Sequence, residues 1–221
     1  MMGTSNVLEL ARFLSVERFI YVSSGSVYGD DHPDPVLTEE SMPRPQTLYA
    51  VTKYASELVT RRYGELHHFP TVSVRLGTPF GPMERVTGHR VNKSLLKDWT
   101  ESIVQGLPIK VGDQSVERAF TYVLDIAGGI CAVVDAPFLS YDLYNVSTGD
   151  KTSLKQIMEV LRELHPDLQV RDSADLGPPP GGTNFMKSDR LVTDLGFSPQ
   201  YDLPSALKEY LGWRRANDCE E

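Results

Sequence analysis

Cysteine is nearly absent. Cys131 and Cys219 are the only two in 221 residues, and they stand far apart with no Cys-x-x-Cys. With five scattered histidines, this excludes a disulfide framework and the ligand spacing of a zinc site. Reduced thiols, a cytoplasmic location and no bound metal are the expectation. Long apolar runs are missing as well. Nothing approaches the roughly 20 residues of a membrane helix, and no basic-then-apolar leader opens the chain, so no membrane partner is expected. Positive charge is in deficit, with 22 Lys+Arg against 30 Asp+Glu and a net charge of −8. That balance argues against a nucleic-acid partner, which calls for a basic surface. A local cationic pocket for a phosphate or carboxylate stays open. Repeats and low-complexity tracts are also lacking. What is present, 40% hydrophobic and 24% charged residues, is ordinary for a folded chain long enough to bury a core without staples.

The chain alternates helical and strand-like stretches. Val7, Leu8, Ala11 and Leu14 recur at helical spacing, and Phe19-Ile20-Tyr21-Val22 reads as a short strand apolar on both faces. A polar loop from Ser23 to Pro45 leads to a helix from about Thr47 to His67, with Val51, Ala55, Leu58 and Val59 on one stripe. Val72 to Leu76 is a second buried strand. Strand, helix, strand in this rhythm predicts parallel βαβ units, because a parallel pair needs a long crossover. Further on, helices are expected over Ser94–Gln105, Leu124–Ala136, Ser153–Leu164 and Pro204–Arg214, with strands at Ile109–Val111, Phe120–Val123 and Tyr144–Val146. Ser153 and Gln156 have capping-box spacing. The triple proline Pro178-Pro179-Pro180 can continue neither kind of element.

The chemistry-bearing pair is Tyr49 and Lys53, at the start of the second helix. Four residues apart, they share one helix face. An ammonium beside a phenol favours the phenolate, and such a tyrosine moves protons at a carbinol or carbonyl oxygen. The pair alone is common in helices.

Its surroundings are not common. Upstream stands Tyr21-Val22-Ser23-Ser24-Gly25-Ser26-Val27-Tyr28-Gly29. Downstream come Arg75-Leu76-Gly77-Thr78-Pro79-Phe80-Gly81-Pro82, then Arg118 to Ala127, then Asp194-Leu195-Gly196-Phe197-Ser198-Pro199. This ordered set resembles the extended short-chain dehydrogenase/reductases, the NAD-dependent epimerase/dehydratase family, over essentially the whole chain. The resemblance implies an α/β fold, a Rossmann-like doubly wound parallel sheet, with residues 1–82 and 119–140 as its core. Residues 83–118 and 141–221 would form a small substrate-binding α/β region. It implies NAD or NADP as cofactor, a sugar or nucleotide-sugar substrate and a homodimer packed through residues 2–14 and 47–67.

Residue by residue, the resemblance puts Ser24 on the family's catalytic Ser/Thr, Tyr49 on its general acid/base and Lys53 on the lysine that holds the nicotinamide ribose. Ser23 and Pro79 fall where the family touches the nicotinamide end. Arg118 falls on an arginine that contacts substrate phosphate, with an ordinary surface ion pair as the plainer reading. Ser26, Thr78, Arg85 and Arg90 fall at the substrate side. Ser26 and Tyr28 could equally pack the loop, and the basic stretch with Arg85 and Arg90 could be a solvated flank.

Departures narrow the activity. The dehydratase branch has Asp-Glu after the catalytic Ser/Thr, where this chain has Gly25-Ser26, which points away from dehydration. Thr78 replaces the asparagine usual in nucleotide-sugar members and is similar to sugar-acid dehydrogenases instead. The family's opening Gly-x-x-Gly-x-x-Gly turn, which binds pyrophosphate at a helix N-terminus, has no counterpart in the sequence, nor has the acidic residue that reads the adenosine ribose. The reading is therefore of a fold lacking its first strands, roughly 80 to 100 residues. Its alternative is an inactive remnant that binds or dimerises with a full-length relative.

Overall fold

The computed structural model describes residues 2–85, 94–173 and 184–217. Helix α1 (Met2–Phe13) precedes strand β1 (Phe19–Ser24), a 3-10 turn over Gly25–Tyr28, and the short β2 (Val36–Leu37). Helix α2 (Leu48–His67) opens at Thr47, whose hydroxyl accepts from the Ala50 amide at 3.1 Å. Then come β3 (Thr71–Leu76), β4 (Thr78–Phe80), α3 (Leu95–Val104), β5 (Ile109–Val111), β6 (Glu117–Arg118) and β7 (Phe120–Tyr122). The remainder is α4 (Val123–Asp135), β8 (Leu143–Val146), β9 (Thr152–Ser153), α5 (Leu154–Leu164), β10 (Val170–Asp172), β11 (Phe185–Met186), α6 (Asp189–Leu195) and α7 (Leu203–Asn217). The Ser153–Gln156 capping box is formed. The triple proline lies outside the described residues.

The largest sheet has three parallel strands in the order β1-β3-β8, with Phe19 opposite Thr71 and Ser73 opposite Leu143. It is small. The other strands join in two-stranded pairs, among them β4 with β7 and β2 with β11. Helices cover both faces. Val72, Val74, Tyr144 and Val146 point to one side and pack against Ile126 and Val133 of α4 and Leu191 of α6. Ser73 and Arg75 alternate to the other side, where α2 crosses. Residues 143–146 and α6, grouped from the sequence with the C-terminal region, thus belong to this first layer, because the alternation of Tyr144 and Val146 completes its apolar face. A second core joins α3, α5, α7 and β5 around the fully buried Trp99, whose indole donates to the Lys110 carbonyl at 2.9 Å. Tyr201 and Trp213 pack against it.

The orientation of α2 differs from the expectation. Its apolar stripe does not face the sheet: Val51 and Leu58 are exposed, and Ala55 and Val59 only half-buried. The buried face is Ala50, Ser56, Glu57, Thr60 and Gly64. Small and ion-paired side chains let the helix approach closely. A Cβ on Gly64 would sit 2.5 Å from Thr71 Oγ1.

Candidate active site

Parallel strands aim their carboxyl ends at a common crevice, where open α/β sheets bind ligands. Here β1 delivers Ser23 and Ser24, β3 leads to Gly77, Thr78 and Pro79, and β8 leads to Ser147 and Thr148. Gly77 is required there. A Cβ would stand 2.9 Å from Thr121 Oγ1 and 3.0 Å from Ser147 Oγ, so only glycine lets these three segments meet.

Ser23 is 3% exposed, and its hydroxyl has no hydrogen-bond partner. Ser24 caps the 3-10 turn: its Oγ accepts from the Ser26 amide at 3.2 Å and from the Ser26 hydroxyl at 3.0 Å. Tyr49, in the first turn of α2, is 55% exposed. The Lys53 ammonium lies 5.8 Å from the centroid of the Tyr49 ring and 5.4 Å from that of Tyr21. It donates to the Val22 carbonyl at 2.9 Å. Phe19 N–H donates to Pro70 on the β3 side, so by the alternation of a parallel ladder Val22 faces the other edge. Among the described residues no strand pairs that edge, and Lys53 satisfies one of its carbonyls.

The remaining sequence-predicted residues scatter around this centre. Thr78 and Pro79 are exposed at the mouth, paired with Phe120 and Thr121. Arg85 is exposed, and Arg90 lies outside the described residues. Arg118 is no ordinary surface charge. It is 8% exposed, donates to the Glu117 carbonyl at 3.0 Å, and burial holds it below the usual arginine range against the opposing charge of Asp30. A cleft of about 190 Å³ opens beside the end of β8, lined by Ser147, Thr148, Gly149, Lys187 and Ser188. Phe197 and Pro199 of the C-terminal motif line it as well, whereas Ser24, Tyr49 and Lys53 do not.

Sequence reasoning missed the polar network beneath the site. Arg75 forms a bidentate pair with Glu57, at 3.0 and 2.6 Å, one turn beyond Lys53 on α2. Burial alone would push the guanidinium down, but the Glu57 carboxylate overrides it and holds Arg75 above its usual range. The Tyr28 ring stacks on Arg75 at 4.6 Å, and its hydroxyl donates to Asn145 Oδ1 at 2.9 Å. Burial raises the Tyr28 phenol, with Arg75 opposing. The backbone N–H of Asn145 donates to Glu39 Oε1 at 2.8 Å, and burial pushes that carboxyl up. Tyr28 is therefore a packing residue, and Ser26 turns its hydroxyl to Ser24. The signal available in the sequence was an arginine inside an apolar strand, which demands a buried partner.

Comparison with known proteins places this geometry. Residues 1–147 match the model of the NAD dependent epimerase/dehydratase family. The chain belongs to that family. Protein CapI of Staphylococcus aureus is 28% identical over 229 residues, covering 96% of this chain and 67% of CapI. A UDP-glucuronate 4-epimerase of Thermodesulfobacterium geofontis is 29% identical over 226 residues, covering 97% of this chain and 64% of that enzyme. The chain thus spans about two thirds of the length of the curated relatives it matches. Among solved structures, UDP-glucuronic acid 4-epimerase from Bacillus cereus in complex with UDP-glucuronic acid and NAD superposes with a TM-score of 0.81 at 23% identity, covering 97% of this chain and 67% of that one. UDP-glucose 4-epimerase from Thermotoga maritima with UDP-glucose gives 0.83 at 21% identity, covering 100% and 70%. These structural matches establish the epimerase/dehydratase fold.

Proposed function

We propose that the chain is the catalytic and substrate-binding part of an NAD(P)-dependent oxidoreductase or epimerase acting on a sugar or nucleotide-sugar hydroxyl. The observation that supports this reading most is the convergence of Ser23, Ser24, Thr78 and Pro79 at the sheet's carboxyl edge, beside the helix that presents Tyr49 and Lys53. The buried, unpartnered Ser23 hydroxyl fits a ligand amide or hydroxyl at that edge, and with Pro79 and Lys53 it would hold the nicotinamide end of the cofactor. The bound nicotinamide supplies hydride acceptance. Tyr49 takes the proton from the sugar hydroxyl, and Ser24 orients that oxygen by donating to it. Arg118 and Arg85 meet the anionic part of the substrate, and Thr78 its sugar face. Pyrophosphate and adenosine contacts are not assigned to residues of this chain, because its sequence carries no Gly-x-x-Gly-x-x-Gly and no glycine-rich strand–helix turn is formed among the described residues.

A second copy of this chain is the proposed partner. Val7, Leu10, Phe13 and Leu14 at α1 and Val51 and Leu58 on α2 are all exposed apolar residues on adjacent helices, more than a solvated surface ordinarily gathers. The same face would serve the alternative reading, a non-catalytic partner of a longer relative.

One panel separates the two. The chain is titrated calorimetrically with NAD, NADP, UDP-glucose and UDP-glucuronic acid, and incubated with each cofactor–sugar pair for product detection. Binding of a nucleotide sugar, with turnover lost in Tyr49→Phe, is the expected result. Absence of binding by all four ligands, with a dimer in sedimentation equilibrium, would instead establish the non-catalytic reading.

A further inference from the structure

The Lys53 ammonium carries three hydrogens. Among the described residues its one hydrogen bond runs to the Val22 carbonyl at 2.9 Å. A single bond at the end of a flexible four-carbon stem leaves the ammonium free to pivot about it. Two aromatic rings limit that pivot. Tyr49, one turn back on α2, has its ring centroid 5.8 Å from Nζ, and Tyr21 on β1 has its own at 5.4 Å. Both lie inside the roughly 6 Å over which a ring face attracts a cation. Tyr21 stands opposite Ser73 and two residues before Ser23, so it shares the sheet face that α2 crosses. Tyr49 and Lys53 move together with their helix, and a contact between them does not fix Lys53 relative to the sheet. The Tyr21 ring and the Val22 carbonyl do.

We infer that Tyr21 is a positioning residue for Lys53: its ring face seats the ammonium at the carboxyl end of β1, beside Tyr49, and leaves two N–H groups for a ligand, so that Tyr21 acts on the reaction only through Lys53. For its effect on the reaction, the inference rests on the role proposed above for Lys53 at the nicotinamide end. The physical reason is the kind of contact. A ring attracts the charge through its quadrupole, and at this distance it holds an ammonium in place without consuming a hydrogen. A carboxylate in its place would take up those hydrogens and offset the positive charge beside Tyr49.

A double-substitution cycle tests this, with Tyr21→Leu, Lys53→Met, the pair, and Tyr21→Phe, which keeps the ring. The first readout needs neither cofactor nor turnover. NMR order parameters of the Lys53 side-chain terminus should fall in Tyr21→Leu and stay at the unsubstituted value in Tyr21→Phe. Unchanged values in Tyr21→Leu, or an equal fall in Tyr21→Phe, overturn the inference. So does a Lys53 terminus as mobile in the unsubstituted protein as that of the exposed Lys155, a comparison that stands even where Tyr21→Leu does not fold. The second readout is calorimetric. Tyr21→Leu should weaken NAD or NADP about two- to fivefold, the worth of an exposed cation–π contact, with binding of UDP-glucose unchanged. In the Lys53→Met background Tyr21→Leu should have no further effect on cofactor affinity. Multiplicative losses, or equal weakening of cofactor and sugar, would show that Tyr21 acts independently of Lys53 and overturn the inference. Cofactor affinity unchanged in Lys53→Met contradicts the role of Lys53, a different failure.

Discussion

Breaking the Glu57–Arg75 pair should cost far more than breaking any other ion pair among the described residues. The two side chains are 7% and 3% exposed and share two hydrogen bonds, whereas the Arg62–Glu65 and Arg12–Glu9 pairs are more than half exposed. An exposed pair contributes about 0–1 kcal/mol. Glu57→Ala instead leaves a guanidinium buried under Tyr28 with no counter-charge. Removing one partner of a buried pair costs about 3–5 kcal/mol, about a fifth or more of the roughly 5–15 kcal/mol that holds a domain folded. At about 2–4 °C per kcal/mol for a chain of this size, the melting temperature should fall by about 6–20 °C. The paired change Glu57→Leu with Arg75→Met removes both charges and should return stability to within about 1 kcal/mol of the original, because the desolvation penalty disappears with the attraction. Urea unfolding of the unsubstituted, singly and doubly substituted proteins measures this. A loss below about 1 kcal/mol for Glu57→Ala, the size of a solvated pair, would refute the reasoning. So would a paired variant no more stable than the single one. Because α2 presents Tyr49 and Lys53 while Arg75 also stacks on Tyr28, four residues from Ser24, the pair ties the two halves of the site together.

Other outcomes follow from single observations. Burial raises the Glu39 carboxyl, so the folded state takes up its proton more readily than the unfolded chain. Its ionisation therefore subtracts stability as pH rises through the raised value, and stability should increase as pH falls from neutrality towards the ordinary carboxylate pKa of about 4.3. That component should vanish in Glu39→Gln, and identical pH–stability curves for the two proteins would contradict it. Gly77→Ala forces a methyl to within 3 Å of Thr121 Oγ1 and should cost about 1–3 kcal/mol in urea unfolding. Thr47→Ala removes the cap that starts α2 and should cost about 1 kcal/mol. Phe13→Asp, on the exposed face of α1, should shift a dimer to monomer in sedimentation equilibrium, and an unchanged dimer would contradict that face as the interface.

Elements with a clear period are legible in the sequence. The long helix α2, the capping box of α5 and the strands of the three-stranded sheet all lie where alternation, spacing and capping residues put them. The direction in which α2 faces is not legible. Its apolar stripe is the usual signature of a core face, yet Glu57, Thr60 and Gly64 are buried because Arg75 receives the carboxylate and Gly64 allows close approach. Two-residue pairs such as β2 with β11 have too few residues for a period to show. The seven-residue α6 lacks a side-chain cap to mark its start. At the site, residue types and order locate the strand ends and the Tyr49 helix. The contacts that turn Ser26 to Ser24 and Lys53 to the Val22 carbonyl depend on geometry that spacing does not encode.

The most direct test of Tyr49-assisted hydride transfer is the appearance of reduced nicotinamide when the chain is mixed with saturating cofactor and a nucleotide sugar, compared with Tyr49→Phe under the same conditions. The expected result is a burst of reduced nicotinamide, or a turned-over sugar, that the tyrosine substitution abolishes while melting temperature and sugar binding stay unchanged. Equal rates for the two proteins would contradict it.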